Sequence, residues 1–140
     1  MDAAQIFQIA NAFAFVGWVL LIGFPENRKL FSIVRFVFIG LLAFAYVMLL
    51  LPALSQLNPM DFGSLAGVKA LFASDNAVVL GWIHYLAFDL LAGTYIVEKG
   101  QLINIPRWIY TLCLPFTFMF GPMGLLLFYL ISLKFPEKAK

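Results

Sequence analysis

Four apolar stretches, each about as long as a bilayer is thick, occupy most of this 140-residue sequence. They cover residues 5–24, 30–53, 77–97 and 108–133. The hydrocarbon core of a bilayer is ~30 Å thick, and a helix that rises ~1.5 Å per residue needs ~20 apolar residues to cross it. The sequence therefore predicts an all-α integral membrane protein with four transmembrane helices.

The composition supports membrane insertion and excludes two other classes of protein. Hydrophobic residues make up 64% of the chain and charged residues 11%, whereas a soluble domain carries ~25% charged residues. A small soluble domain buries only part of its surface, so it has no place for this much apolar area. The net charge of +2 is too small, and the basic residues too scattered, for a nucleic-acid partner. The expected partner is the lipid bilayer.

The connections between the stretches predict a single domain over residues 1–140. The connection at 25–29 is short and charged, so the first two spans are expected to form an antiparallel hairpin. Within the long connection, residues 64–73 have apolar side chains at helical spacing and Lys69 on the other face. This pattern predicts a short interfacial helix between spans two and three. The N-terminus lacks the basic region of a secretory signal, which favours a retained first span. Basic residues are balanced between the two sides, so no orientation is predicted.

The third span carries two ionisable side chains, His84 and Asp89, within ~5 Å of its middle. Such a residue costs at least ~2.5 kcal/mol to insert, so it requires a partner or a function. The two residues are ~140° apart around a helix, so they can flank one pocket from its two sides. Tyr85 and Gly93 are each four residues from Asp89, and Tyr85 can hydrogen-bond to its carboxyl group.

Other spans offer polar partners at matching depth. Asn11 lies at about the depth of His84, and Thr117 at about that of Asp89. Arg35 on span two can reach inward to Asp89 or extend outward to the lipid phosphates. One interpretation is structural: Arg35 and Asp89 form a buried ion pair in a polar cluster with Asn11. The other is functional: a neutral carboxyl group and a neutral imidazole act as an acid and a base in a dry site. One His and one Asp are too few ligands for zinc, so no metal is expected.

The fourth span contains Pro115 and the segment Gly121-Pro122-Met123-Gly124. Proline kinks a membrane helix, and glycine allows another helix or a flat ligand to approach closely. A broken helix is also a feature of transporters, which keeps a proton-coupled oligomeric transporter as a minor alternative.

A known family shares these features. The sequence contains LAGVKALFAS at 65–74, then Trp82-Ile83-His84, Asp89-Leu90, Pro115 and the Gly-Pro-Met-Gly segment. In this order it resembles the ABA-deficient-four-like family of small membrane proteins. That family includes a plastid protein implicated in neoxanthin synthesis and bacterial members of unknown role. The resemblance covers residues 65–133 by motif and the first two spans by hydropathy.

The resemblance implies a carotenoid, xanthophyll or related isoprenoid as ligand. The plant reaction opens a xanthophyll 5,6-epoxide and removes a neighbouring proton to give an allene, without a redox cofactor. The resemblance implies that Asp89 is the acid and that His84 is the base. Further substrate-binding candidates are Trp82, Tyr85, Gly93, Thr117 and Gly121.

A different class of function stays open from the sequence. The chain is also consistent with a non-catalytic accessory or assembly subunit that packs against a larger membrane complex, or with a homo-oligomer. In either case the expected location is a bacterial inner membrane or a photosynthetic membrane.

Overall fold

The structure is a computed structural model that describes residues 1–56 and 58–135. Helices account for 86% of the described residues, and no strand occurs among them, which confirms the predicted all-α class. Residues 57 and 136–140 of the predicted domain lie outside the described residues. The helices are α1 (Ala3–Gly23), α2 (Arg28–Ala53), α3 (Leu65–Leu71), α4 (Asp75–Leu102), α5 (Arg107–Phe120) and α6 (Pro122–Ser132).

Three helices, α1, α2 and α4, are long and apolar enough to cross a membrane, with 21, 26 and 28 residues. They correspond to the predicted spans 5–24, 30–53 and 77–97, and they fit an integral membrane protein. The predicted span 108–133 is not one continuous helix, because it divides at Gly121 into α5 of 14 residues and α6 of 11 residues. Short 3₁₀ turns occupy Leu54–Gln56 and Pro59–Gly63, before α3.

Polar residues at the helix starts supply the hydrogen bonds that the first backbone N–H groups lack. Asp2 and Gln5 cap α1 reciprocally, with 2.7 Å from the Gln5 nitrogen to Asp2 Oδ1. The Asn27 side chain accepts hydrogen bonds from backbone N–H groups in the first turn of α2. The Ser64 and Ser74 hydroxyl groups do the same for α3 and α4. These caps place each long helix start in the connections, outside the apolar stretches.

The central helix of the bundle is α4. In its most apolar stretch 44% of the residues are buried, compared with 28% in α1 and 17% in α2. It packs against α1, α2 and α5 along its length, and it also contacts α6. Its remaining face, which points away from α1, is exposed. The placement of any functional side chain on α4 therefore depends on the helix face from which it projects.

Two glycines allow α1 and α4 to approach closely. A Cβ built on Gly17 would lie 3.0 Å from a methyl carbon of Leu90, and one on Gly93 would lie 2.7 Å from the Trp18 ring. Small residues at such crossings are the usual basis of helix association in membranes, where burial from water gives no driving force. This contact fixes the rotation of α4 relative to α1.

A π-helical segment, Val34–Phe38, interrupts α2. Val34 and Phe38 are both buried against α1 and α4, while Arg35 projects sideways between α2 and α4. A π-turn inserts an extra residue and shifts the helical phase, and such turns are frequent at functional sites. Arg35 lies within this segment, and its side chain reaches Glu98 near the end of α4.

Candidate functional site

The predicted polar residues are distributed over separate places in the structure. Asn11 on α1 accepts a hydrogen bond from Trp82 on α4, with 2.9 Å between Oδ1 and Nε1. Arg35 on α2 pairs with Glu98 on α4, with 2.8 Å between Nη1 and Oε2. The ion pair considered between Arg35 and Asp89 therefore does not form in the structure. Arg35 reaches the last turns of α4, where Glu98 is its partner.

Asp89 lies in the interior, at the junction between α5 and α6. Asp89 is 8% exposed, and its Oδ2 atom is buried with no hydrogen-bond partner among the described residues. The hydroxyl group of Tyr85, one turn earlier on α4, lies 3.5 Å from the carbonyl oxygen of Met119. A buried polar atom without a partner is costly and rare.

Gly121 makes room for this carboxyl group. Its backbone has φ 46° and ψ −94°, a conformation that residues with side chains rarely adopt, and a Cβ there would lie 2.5 Å from Oδ1 of Asp89. Pro122 has no N–H group to continue the helix, so α5 ends and α6 begins at this point. The helix break at Gly121 and the carboxyl group of Asp89 are therefore in direct contact.

Gly93 and Thr117 lie in tightly packed contacts. Gly93 is covered by the Trp18 ring. Thr117 is fully buried, and its hydroxyl donates to the carbonyl oxygen of Cys113 over 3.0 Å, beside Gly124. In this structure both residues contribute to helix packing, and neither borders an open surface.

His84 faces away from Asp89, on the exposed side of α4. Its ring stacks on Phe88, with 4.5 Å between the centroids and 23° between the planes, and lies 5.4 Å from the Tyr46 ring on α2. The two predicted catalytic residues therefore project from different faces of α4, and the structure does not bring them together.

A groove of about 390 Å³ runs along the exposed face of α4, between α2 and α6. It is lined by Arg35 of α2, by Phe88, Leu91, Ala92, Thr94, Tyr95 and Glu98 of α4, and by Leu125 and Tyr129 of α6. Positions 88, 91, 95 and 98 have the spacing of a single helix face, and His84 lies one turn before Phe88 on that face. Because the groove follows a helix that can cross a membrane, it opens sideways towards lipid.

The groove combines an aromatic, apolar floor with an ion pair at one end. The Arg35–Glu98 pair lines that end, with side chains 38% and 55% exposed. His84 lies outside the lining residues and stacks on Phe88, which is one of them. No three His, Cys, Asp or Glu side chains within the described ranges are arranged to hold a metal.

Sequence reasoning missed Glu98 and the aromatic residues Tyr95 and Tyr129. A signal was present, because one helix face carries, at three- or four-residue intervals, His84, Phe88, Leu91, Tyr95 and Glu98. Its neighbours on α2 and α6 were not predictable, since they depend on how those helices are rotated.

Comparison with known proteins gives one match. A family model described as ABA4-like, ABA DEFICIENT 4-like, matches residues 5–128, nearly the whole chain. No curated protein and no solved structure matches the chain. The matched range includes His84, Asp89 and the Gly121 break.

Proposed function

The chain belongs to the ABA DEFICIENT 4-like family, and from this premise we propose that it binds an oxygenated isoprenoid of the carotenoid or xanthophyll class. The observation that supports this proposal is the groove over α4. It lies on the exposed face of the bundle, it is lined by apolar and aromatic side chains, and the Arg35–Glu98 ion pair lines one end of it. A membrane-soluble ligand with a long flat body enters such a groove from the bilayer, without passing through water.

In this proposal the protein has four spans in a bacterial inner or photosynthetic membrane. Together α5 and α6 form the fourth span, broken at Gly121. Residues 107–132 would rise about 39 Å as a continuous helix, which exceeds the ~30 Å hydrocarbon core even after a kink. A break at this depth is tolerated where neighbouring groups cover the freed backbone, and here α4 packs against it.

The segment before α4 is proposed to lie in the membrane interface. Exposed apolar side chains on it include Met60, Phe62, Leu65 and Phe72, and Lys69 is also exposed. Phe72 packs against Gly81 of α4, so the segment is held to the bundle. Apolar residues that face outward beside a lysine are typical of a helix lying at the headgroups.

The proposed reaction is an isomerisation by acid–base chemistry. A proton passes to the epoxide oxygen as the C–O bond breaks, and a base removes a proton from the neighbouring carbon, so no electrons are gained or lost. Asp89 is the proposed acid and acts on a ligand group that reaches the Gly121 break, and the carboxylate so formed then removes the proton from the neighbouring carbon. His84 projects from a different face of α4 and does not reach that group, so its proposed role is to contact the ligand beside Phe88.

Pigment analysis of variants tests binding and catalysis separately. The protein is purified in mild detergent from a host that makes epoxy-xanthophylls, as wild type, His84→Gln and Asp89→Asn. We expect the wild type to be coloured, and His84→Gln to retain roughly tenfold less pigment, since a lost hydrogen bond to a ligand costs about 1.4 kcal/mol. We expect Asp89→Asn to retain pigment and to lose the rearranged product, measured by chromatography of the extract.

Asp61→Asn, a carboxyl change outside the bundle, is the matched control and leaves both readouts unchanged. Formation of the rearranged product by a folded Asp89→Asn protein would contradict the proposed role of Asp89 as the acid. A folded wild type that carries no carotenoid in this host would contradict the binding proposal.

The alternative function is an accessory or assembly subunit of a larger membrane complex. The observation that favours it is the small buried share of α2, whose Phe36 and Phe44 side chains project outward. Under this alternative the exposed face of α2 contacts another protein, and stoichiometric co-purification of a defined membrane partner, lost on Phe44→Ala, is the distinguishing result.

A further inference from the structure

The Arg35–Glu98 ion pair lines the end of the groove that lies near the last turns of α4. The guanidinium and the carboxylate are 2.8 Å apart, and both side chains are partly exposed rather than sealed by packing. Glu98 lies 14 positions after His84 on the same face, a rise of about 21 Å. The pair is therefore accessible to one end of a long molecule whose body lies along the groove.

We propose that Arg35 and Glu98 recognise a neutral hydroxylated end group of the ligand and discriminate against anionic lipid headgroups. This inference rests on the proposed function and adds the residues that determine specificity. It concerns binding and is independent of the acid–base step.

The charge of the pair supports a neutral hydroxyl group. A lone arginine binds phosphate through two parallel N–H groups, but here one of those groups is engaged by Glu98. A phosphate at this position would also meet the negative carboxylate of Glu98. A hydroxyl group can instead accept from the guanidinium and donate to the carboxylate. The pair thus complements a group that has both a donor and an acceptor and no net charge.

Arg35 lies in the π-helical segment of α2, between the buried residues Val34 and Phe38. Its side chain reaches Glu98, and both residues line the groove. An exposed ion pair contributes little to folding stability. The contribution of the pair is therefore expected in ligand recognition rather than in folding.

The experiment compares two carotenoids that share one polyene skeleton. Purified protein in phosphatidylcholine nanodiscs is titrated with zeaxanthin, which has a hydroxyl group on each end ring, and with the hydrocarbon β-carotene. Binding is followed by the absorbance shift. We expect the wild type to bind zeaxanthin roughly tenfold more tightly than β-carotene, as one charge-assisted hydrogen bond predicts. In Arg35→Gln and Glu98→Gln this preference falls below about threefold, while β-carotene affinity is unchanged.

Glu26→Gln is the matched control, because Glu26 pairs with Arg107 at 3.7 Å in the connections, outside the groove lining. It retains the wild-type preference. Equal binding of the two carotenoids by the wild type would overturn the inference and leave the proposed function standing. Displacement of zeaxanthin by phosphatidylglycerol, added to the nanodiscs, would overturn it in favour of an anionic headgroup. Absence of binding by both carotenoids would overturn the proposed function itself.

Discussion

Gly121→Ala is expected to destabilise the protein by about 3 kcal/mol, because two effects act on the same atom. The φ of 46° at Gly121 is strained for a residue with a Cβ, which costs about 1–3 kcal/mol. The new methyl group would also lie 2.5 Å from Oδ1 of Asp89, and such overpacking costs about 1–3 kcal/mol. The free energy of unfolding is measured in detergent by titration with SDS, followed by tryptophan fluorescence.

A second variant separates the two effects. In an Asp89→Ala background the methyl group no longer meets the carboxyl group, so Gly121→Ala is expected to cost only the backbone strain. Gly40→Ala is the control, since Gly40 has open space around it on α2 and alanine favours a helix. An equal cost of Gly121→Ala in both backgrounds would show that Asp89 does not occupy the space at the break.

The length and apolarity of the first three spans made them predictable from sequence. A helix in a bilayer must satisfy its own backbone hydrogen bonds, so ~20 apolar residues leave few structural alternatives. The fourth stretch has the same composition, but Gly121 and Pro122 together stop the helix. A proline alone gives a kink in most membrane helices, and the positive φ of Gly121 is a property of the folded backbone.

The site was less predictable than the fold, because it depends on helix rotation. His84 and Asp89 are ~140° apart on any α-helix, and that angle is compatible with one shared pocket or with two separate faces. The neighbours decide between these arrangements. The Gly17 contact brings Leu90 against α1 and α2, which leaves Asp89 towards the Gly121 break and His84 towards the exposed face.

The partner of Arg35 illustrates a second limit. From its position in the sequence, Arg35 could reach inward to Asp89 or outward to the headgroups, and the sequence alone did not decide between them. Asp89 and Glu98 are nine positions apart on α4, about 13.5 Å along its axis. The partner of Arg35 therefore depends on how α2 and α4 are aligned along their axes, and in the structure that partner is Glu98.

Gly93→Leu is expected to destabilise the bundle by about 3 kcal/mol or more, the second large effect that the structure predicts. A Cβ at this position would lie 2.7 Å from the Trp18 ring and 2.9 Å from a methyl carbon of Leu21. Trp18 is 2% exposed, so its ring cannot swing into open space. Helices α1 and α4 must then separate, and they lose the close packing that holds them together in lipid. The same SDS titration measures the loss.

Removal of the opposing ring tests whether this contact is the cause. Trp18→Ala alone is expected to cost about 3–5 kcal/mol, as large-to-small core changes do. The double variant exchanges the large and the small residue across the interface, so its cost should fall below the sum of the single costs by about 2 kcal/mol. Gly40→Leu, in open space on α2, is the control and should change stability little. Additive costs would mean that Gly93 and Trp18 do not meet. The rotation of α4 that turns Asp89 towards the Gly121 break and His84 towards the exposed face would then lose its main support.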